Sequence, residues 1–455
     1  MRTPIRAVVA ALCAASAAVA LDACKTSTPP AAAVQQAAPA GEAAALRVSD
    51  QDISDAWIYL MGRLLVLRQQ RLDFERNGFQ WNQLVHRTPG GVEWANPNLD
   101  VVYSEAWIAV DEHSCVLLDI PRIEGRYYTW QMLDGWGETI LNINERTFAG
   151  HPHGRYALCL KGSQVSIPAD ALRVDLPVRT ARALLRVELG DSAAQAEHLQ
   201  HAFRLTPLGE PKIPAPIQVP LFANTALPRA QAFDFADAIL AGQPDLNPGM
   251  DAVRTKVGEV AELVRSGAAG RQRVDDVVAK LALPALAGRL RAPGPRANGW
   301  AHPTVIGTYG GDYLQRTAVD FAGIWANTPA EVTYFAMPHL DGGATYTQTF
   351  AKDALPQAQA RYFWSVMAVD ATHYRVMHNP LDRYTLNRQS KIRPNADGSV
   401  TLAYGPRKPD GVPESNWLPT PSGEQYNLTF RLYGQISRAS EAPYYPPPLV
   451  KLENQ

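Results

Sequence analysis

One order of residues occurs twice in this sequence, and it limits the possible folds more than any other feature. Both copies place two aromatic residues and a hydroxyl residue at a fixed distance before an aspartate, and an Asn-x-x-acid-Arg motif follows in each. The copies are Tyr127-Tyr128-Thr129 with Asp134 and Asn142-x-x-Glu145-Arg146, and Phe363-Trp364-Ser365 with Asp370 and Asn379-x-x-Asp382-Arg383. Convergence of two aromatic strands is the alternative, but it has to reproduce five positions in order. We therefore interpret the pattern as an internal duplication.

The residues around both copies have the spacing of β-strands. From 101 to 176, apolar residues alternate with a period of two between glycine-containing turns. The predicted strands are Val102–Val110, Cys115–Ile120, Arg126–Leu133, Thr139–Asn144 and Tyr156–Leu160. A second β-rich block extends from 304 to 432 and includes a predicted helix at Asp312–Ile324. The sequence thus predicts a mainly β fold with helical segments: two jelly-roll-like antiparallel β-sandwiches joined by a helical connection.

Helical spacing occurs before, between and after the predicted strands. Apolar residues at intervals of three and four predict a helix from about Ile53 to Arg71, buried on more than one side. Asp191–Phe203 and much of 230–290 have the same spacing. A chain of 455 residues is long enough for two or three cores. We expect an N-terminal helix plus the first sandwich at 48–210, a Pro-rich and helical connection at 211–300, and the second sandwich at 301–455.

The N-terminus has the features of an export signal. Arg2 and Arg6 precede an apolar run from Ala7 to Leu21, which is short for a membrane span. The closing Leu21-Asp22-Ala23-Cys24 resembles a bacterial lipobox, although Asp22 departs from it. The resemblance implies a signal peptide at 1–23, a lipid on Cys24 and a flexible tether at 24–47. Ordinary cleavage to a soluble periplasmic protein is the alternative.

These features predict a protein anchored to a membrane by its lipid, in the periplasm or at the outer membrane. The 43 Lys and Arg residues nearly balance the 44 Asp and Glu residues, so nothing in the charge favours a nucleic-acid partner. Two cysteines remain after the lipidated one, Cys115 and Cys159. In an oxidising compartment they are a candidate disulfide; two separate buried thiols are the alternative.

The same repeated segments carry a resemblance to known families. The first block contains Asn98-x-Asp100-x-x-Tyr103-Ser104-x-Ala106-Trp107 and Gly125-Arg126-Tyr127-Tyr128, and it resembles the bacterial domain of unknown function 1254. The second block contains Phe363-Trp364-Ser365, Glu414-Ser415-Asn416-Trp417-Leu418-Pro419 and Leu428-Thr429-x-Arg431-Leu432-Tyr433, and it resembles domain of unknown function 1214. The resemblance implies tandem jelly-roll-like sandwiches and brings no mechanism with it.

Common catalytic motifs are missing from the sequence. It has no Gly-x-Ser-x-Gly elbow, phosphate-binding loop, His-Glu-x-x-His or Gly-x-Gly-x-x-Gly motif. This disfavours a standard serine esterase, P-loop nucleotidase, zincin or Rossmann dehydrogenase. The ten histidines show no metal-ligand spacing supported by carboxylates, so we expect no metal and no cofactor.

A set of polar and aromatic residues in the first block is the main candidate site. On one strand, Arg126, Tyr128, Trp130, Met132 and Asp134 alternate onto one face. There a guanidinium and a carboxylate flank aromatic rings and are suited to orient a small acid or a sugar. Asp100 and Tyr103 are a candidate acid/base pair near the preceding turn. The alternative is a structural role, because Arg–Asp pairs and buried tyrosines also lock sandwich corners.

The second block has one candidate ligand-binding loop, with Trp417 between Glu414, Asn416 and Pro419. An indole beside hydrogen-bonding groups stacks on sugars or aromatic ligands, or it anchors the loop. The sequence leaves three functions open. The first is an envelope enzyme acting on a small molecule or glycan, at a cleft of the first sandwich or between the two. The others are a non-catalytic ligand- or glycan-binding module and a structural envelope protein.

Overall fold

The computed structural model describes residues 48–89, 95–436 and 443–453. The predicted signal peptide, Cys24 and the tether lie outside these residues. The described chain contains four open β-sheets and seven α-helices. The predicted fold class is therefore confirmed: the sheets form two sandwiches, and helices connect them.

The first sandwich consists of a five-stranded sheet with the order β1-β2-β8-β4-β5 and a four-stranded sheet with the order β7-β6-β3-β9. Its strands are β1 (Val85–His86), β2 (Val101–Ala109), β3 (Cys115–Ile120), β4 (Tyr128–Leu133), β5 (Thr139–Ile143), β6 (Gly154–Leu160), β7 (Leu172–Leu176), β8 (Thr180–Glu188) and β9 (Arg204–Leu208). Cys115 and Cys159 face each other across β3 and β6 and form a disulfide with a Cα–Cα distance of 4.5 Å.

The second sandwich pairs a six-stranded sheet, β10-β11-β12-β18-β14-β15, with a four-stranded sheet, β17-β16-β13-β19. Its strands are β10 (Arg296–Ala297), β11 (Trp300–Ala301), β12 (Val332–Leu340), β13 (Tyr346–Phe350), β14 (Trp364–Asp370), β15 (Thr385–Asn387), β16 (Val400–Gly405), β17 (Trp417–Pro419), β18 (Tyr426–Tyr433) and β19 (Val450–Lys451).

The strand connections repeat from one sandwich to the other. The order β2-β8-β4-β5 corresponds to β12-β18-β14-β15, and β7-β6-β3-β9 corresponds to β17-β16-β13-β19. Even the unusual parallel pair recurs, as β6 with β7 and β16 with β17. Asp134 and Asp370 each end the equivalent strand and accept hydrogen bonds from backbone N–H groups of the turn that follows. The topology thus supports the duplication more strongly than the sequence motif does.

The strand register corrects one part of the repeat predicted from the sequence. Thr129 and Ser365 lie opposite Arg186 and Arg431 on the neighbouring strands, so they are equivalent. Ser365 faces Asn387 on β15, whereas Asn379 lies in the turn before that strand. The counterpart of Asn387 is therefore Asn144, which donates to the Thr129 hydroxyl and follows β5 directly. The matching Asn-x-x-acid-Arg motifs at 142 and 379 are not structurally equivalent, because the second copy has a longer turn.

Most of the helices form a separate layer with its own apolar core. The helices are α1 (Asp50–Arg76), α2 (Ala193–Ala202), α3 (Ala236–Ala241), α4 (Asp251–Arg265), α5 (Ala268–Val277), α6 (Leu283–Arg291) and α7 (Tyr313–Gly323), of which α2 packs on the first sandwich instead. Ser49 and Asp52 form a capping box that begins α1. Apolar residues on more than one side of α1 are buried, as the sequence predicts. A Cβ atom on Gly62 would lie 2.7 Å from the Thr317 hydroxyl, so glycine here lets α1 and α7 pack closely.

The two larger sheets face each other, and their outer surfaces pack together. Their shared cluster includes Tyr127 from the first sandwich and Phe363 and Tyr433 from the second. The rings of Phe363 and Tyr433 stack with centroids 4.0 Å apart, and the Tyr127 ring meets Tyr433 edge-on at 5.1 Å. This packing between equivalent faces leaves a cavity beside it.

Candidate functional site

A cavity of about 150 Å³ lies between the facing sheets and is closed on one side by α7. Equivalent residues of the two sandwiches line it: Tyr103 and Arg186 from the first, and Tyr334 and Arg431 from the second. In each sandwich, the tyrosine and the arginine are directly paired across two neighbouring strands. The cavity thus has two similar polar walls, one from each copy of the duplication.

Each arginine reaches across to the loop that precedes the first long strand of the other sandwich. Arg186 donates to the Trp325 carbonyl at 2.8 Å and to the Asn327 side chain at 3.3 Å. Arg431 donates to the carbonyls of Asn96 at 2.8 Å and Pro97 at 3.1 Å. Both contacts hold loops in place. They also bring two guanidinium groups to one cavity.

Among the described residues, the charge of these arginines is not balanced by direct ion pairs. Arg186 is 5% exposed and Arg431 3%, and in the part of the chain that the structure describes neither has a carboxylate within ion-pair distance. Arg186 donates to neutral oxygens, including that of the Gln131 side chain. Asp100 is close enough to Arg431 for the guanidinium to lower its pKa, but burial raises that pKa overall. A buried cation without a counter-ion is costly, so the space between the two arginines suits an anion.

The tyrosines supply neutral hydrogen-bonding groups. Burial raises the pKa of Tyr334 and raises the pKa of Tyr433 well above its ordinary value, so both stay protonated near neutral pH. The Tyr433 hydroxyl accepts a hydrogen bond from the Asn98 side chain at 2.6 Å, and the Tyr334 hydroxyl accepts one from the Asn327 backbone at 3.2 Å. The polar part of the cavity therefore combines cations with phenols.

A reciprocal exchange of acid and amide groups holds the two sandwiches together beside the cavity. Asp100, which precedes β2, accepts a hydrogen bond from Asn387 of the second sandwich. Glu331, which precedes β12, accepts one from Asn144 of the first sandwich at 2.8 Å. Glu331 also pairs with Arg146 at 2.6 Å. Each copy thus buries one acid against the equivalent amide of the other.

The structure does not bring the four predicted acid/base residues into one site. Tyr103 lines the cavity and Asp100 lies beside it, but Arg126 and Asp134 lie beyond opposite ends of β4. Eight residues of extended chain separate those two by roughly 26 Å. Arg126 binds the carbonyls of Glu188 and Leu189 near the surface. It therefore fixes a strand end and takes no part in the cavity.

The predicted alternation along β4 is present, but the face that was predicted to bind a ligand is not open to one. Tyr128, Trp130 and Met132 belong to the core of the first sandwich. The opposite face, with Tyr127 and Gln131, is directed to the second sandwich. Every residue of β4 is buried, so the sequence offers no exposed polar face to distinguish the two sides.

Asp134 lies in a buried polar cluster at the junction with the helices. Its Oδ1 accepts from the backbone N–H groups of Trp136 and Glu138, whereas its Oδ2 is buried without a partner among the described residues. Burial raises the pKa of Asp134 to about 7 and raises the pKa of Asp320 well above its ordinary value. The nearby Arg316 lowers both pKa values, but less than burial raises them.

The candidate loop around Trp417 is anchored in the second sandwich. Asn416 is buried, accepts from the Arg393 backbone N–H and donates to the carbonyls of Arg393 and Thr401. The Trp417 indole donates to the Gly405 carbonyl at 3.0 Å, and Arg383 donates to the Glu414 carbonyl. None of these residues lines the cavity between the sandwiches. The contacts agree with the anchoring alternative.

Sequence reasoning misses both arginines of the cavity. A second repeat could have revealed the loops that they hold: Trp94-Ala95-Asn96 precedes Asp100-Val101-x-Tyr103, and Trp325-Ala326-Asn327 precedes Glu331-Val332-x-Tyr334 at the same spacing. Trp94 lies outside the described residues. This repeat identifies the equivalent acids and tyrosines directly.

Among the described residues, no group of three or more His, Cys, Asp or Glu is arranged to hold a metal ion. Within the same ranges, no helix is both long and apolar enough to cross a membrane.

Comparisons with known proteins match the two blocks separately. The model for Protein of unknown function (DUF1254) matches residues 81–207, and that for Protein of unknown function (DUF1214) matches residues 336–435. The crystal structure of the VPA0106 protein from Vibrio parahaemolyticus is similar with a TM-score of 0.56 at 18% identity, over 89% of this chain and 100% of that chain. An uncharacterised protein from Burkholderia cenocepacia gives a TM-score of 0.44 at 14% identity, over 86% of this chain and 87% of that chain. No curated protein matches the chain. The likeness to the Vibrio protein shows a shared fold.

Proposed function

Because this chain belongs to the tandem DUF1254–DUF1214 family and its two domains enclose a cationic cavity, we propose that it binds a small organic anion between them. The observation that carries the proposal is the pair of buried arginines, Arg186 and Arg431, which line one cavity without a direct ion pair among the described residues. An anionic group placed there would offset the cost of burying the two cations.

The size and walls of the cavity favour a compact ligand. A cavity of about 150 Å³ matches one that holds benzene in an engineered protein core. Apolar side chains, including Ile306, Ala318, Val319 and Ile324, also line the cavity. These dimensions favour a small carboxylic acid with an apolar body over a glycan.

We also propose that the protein acts in the cell envelope, attached through a lipid on Cys24. The apolar run to Leu21 and the lipobox-like ending support export. The disulfide between Cys115 and Cys159 supports an oxidising compartment, because such bonds persist mainly outside the cytosol.

Calorimetry of the purified mature protein tests the binding proposal, with benzoate and butyrate compared with their uncharged amides. We expect the acids to bind and the amides to bind at least tenfold more weakly, because only the acids form charge-assisted hydrogen bonds. Arg431→Gln should weaken binding of the acids by about tenfold to a hundredfold. Arg122→Gln, at a side chain 71% exposed, is the matched control and should bind normally.

A steric variant keeps the test decisive if the arginine variant folds poorly. Ala322 lines the cavity from α7, so Ala322→Leu should reduce the space for the ligand and weaken binding. Equal affinity for acids and amides, or unchanged affinity in both cavity variants, would refute the proposal.

The anchor has a separate test. Mass spectrometry of the mature protein should find an acylated Cys24 at its N-terminus, and Cys24→Ala should move the protein from the membrane fraction to the soluble fraction. An unmodified N-terminus upstream of residue 24 would contradict this part of the proposal.

A further inference from the structure

A second and larger hollow lies outside the cavity between the sandwiches. It has a volume of about 860 Å³ and lies between α1, the start of β8, the Pro-rich segment 214–217 and the segment 241–244. We call it the proline groove. Its lining residues are all different from those of the first cavity.

The inner end of the proline groove carries a buried cation. Arg63 of α1 is 7% exposed and donates one hydrogen bond to the Gly135 carbonyl. Its Nε is buried without a hydrogen-bond partner in the part of the chain that the structure describes, and none of the carboxylates there forms an ion pair with it. Asp134, which directly precedes Gly135 in the chain, interacts electrostatically with the Arg63 guanidinium. Because burial raises the pKa of Asp134 to about 7, this acid is partly protonated near neutral pH and balances the Arg63 charge incompletely.

Arg63 and Gln243 pack tightly against Gly135. A Cβ atom on Gly135 would overlap the Gln243 side-chain oxygen and would lie 2.7 Å from the Arg63 Nη1 atom, so only glycine fits between them. The Gln243 side-chain nitrogen is also buried without a partner among the described residues. Arg63 and Gln243 both line the groove, and each therefore has an unsatisfied donor, which suits an acceptor with negative charge.

The other charged residues of the lining are basic as well. Lys161, Arg179 and Lys212 line the groove, and none of its described lining residues is an Asp or a Glu. Arg179 pairs with Glu112 at the surface, whereas neither lysine side chain has an ion pair within the described ranges. In a chain with a net charge of −1, this concentration of cations selects for anions.

The walls between these cations are largely apolar and continue into a neighbouring hollow. Leu67, Leu160 and Ile217 line the groove together with several prolines. The second hollow, of about 350 Å³, shares Gln70, Trp81 and Pro216 with it and also contains Phe74 and Phe79. The combined surface is largely apolar. Apart from Glu75, which pairs with Arg71, its charged lining residues are basic, and one of them, Arg63, is buried.

We propose that the proline groove binds an amphiphilic organic anion, with its acidic head against Arg63 and its apolar body along the prolines towards Trp81. The head is a carboxylate or a phosphate, since a guanidinium accepts both. This site is independent of the small-anion site between the sandwiches.

Calorimetry with decanoate, decyl phosphate and uncharged decanol, each kept below its micelle concentration, tests this assignment. We expect at least one of the two acids to bind at least tenfold more tightly than decanol, and the tighter of the two identifies the head group. Arg63→Gln removes the charge and should weaken binding of that acid by about tenfold or more. Arg122→Gln is again the exposed control and should bind normally.

A variant that fills the groove distinguishes this site from the cavity between the sandwiches. It also provides a test if the Arg63 variant folds poorly. Ala215 is exposed and lines the groove, so Ala215→Trp should block the amphiphile without disturbing a core. The same variant should bind benzoate as the parent protein does. Decanol binding as tightly as both acids, or amphiphile binding unchanged in Ala215→Trp, would overturn the assignment.

Discussion

Replacing the buried acid Asp134 by asparagine should change how the stability of the protein depends on pH. Burial raises the pKa of Asp134 from 3.8 to about 7, so the folded state holds a proton that the unfolded state releases. The stabilisation from this proton is complete below about pH 4 and is lost as the pH rises through about 7. Asparagine keeps an oxygen for the N–H groups of Trp136 and Glu138 and has no charge to bury.

The magnitude follows from the shift of about three pH units. At about 1.4 kcal/mol per unit, ionising Asp134 in the folded protein costs about 4 kcal/mol in total. Between about pH 4.5 and about pH 7.5, the free energy of unfolding of Asp134→Asn should therefore rise by about 3 kcal/mol relative to that of the parent protein. Urea unfolding followed by circular dichroism at several pH values measures this difference.

The equivalent aspartate provides a matched control. Burial raises the pKa of Asp370, but backbone hydrogen bonds from His373, Arg375 and Thr372 outweigh it and leave the pKa below its ordinary value. Asp370 therefore contributes stability above about pH 4, which is lost as the pH falls. Asp370→Asn should lower stability at neutral pH, opposite to Asp134→Asn. Parallel pH profiles for Asp134→Asn and the parent protein would refute the reasoning.

Two other changes test the contacts that support the fold. Replacing Cys115 and Cys159 by alanine opens a loop of 44 residues and should lower the free energy of unfolding by about 4 kcal/mol, seen as a lower urea midpoint than that of the oxidised parent; an unchanged midpoint would contradict this. Asn387→Ala leaves a buried acid without its amide and should cost about 2–3 kcal/mol in the same assay. Asn144→Ala should cost less, because the acid that it contacts keeps its ion pair with Arg146; the reverse order would count against the pairing described above.

The sequence predicts the repeated part of the fold because the repeat carries information that one copy lacks. Tyr127-Tyr128-Thr129 and Phe363-Trp364-Ser365 both form the equivalent strand, and both aspartates begin its turn. The long N-terminal helix is predicted for a different reason, since its apolar spacing continues over several turns.

The central strand β8 is not among the predicted strands, because two arginines interrupt its apolar pattern. Arg182 and Arg186 are both buried in this strand, and Arg186 binds the second sandwich's Trp325 loop. Arg182 is balanced by Glu105 and Asp73, which lie far from it in sequence. Sequence alternation identifies residues that share a face, but it does not show that a polar face will be buried by distant partners.

The same limit applies to the cavity. The sequence places Tyr103 and Asp100 near each other, as the structure does, but the residues opposite them belong to the second sandwich. Arg431 follows Asp100 by more than three hundred positions, and no local pattern predicts that they approach each other.

The exchange between Asp100 and Asn387 on one side, and Glu331 and Asn144 on the other, has the geometry of a two-subunit assembly joined into one polypeptide. Covalent linkage keeps the halves together at any dilution, so neither half needs to remain identical to the other to find its partner. The two sides accordingly differ: on one side Arg146 forms an ion pair with the acid, whereas on the other side the acid is held across the boundary by an amide. A symmetric pair of subunits would have to change both sides at once; this chain can adapt one wall of its cavity while the other stays as it is.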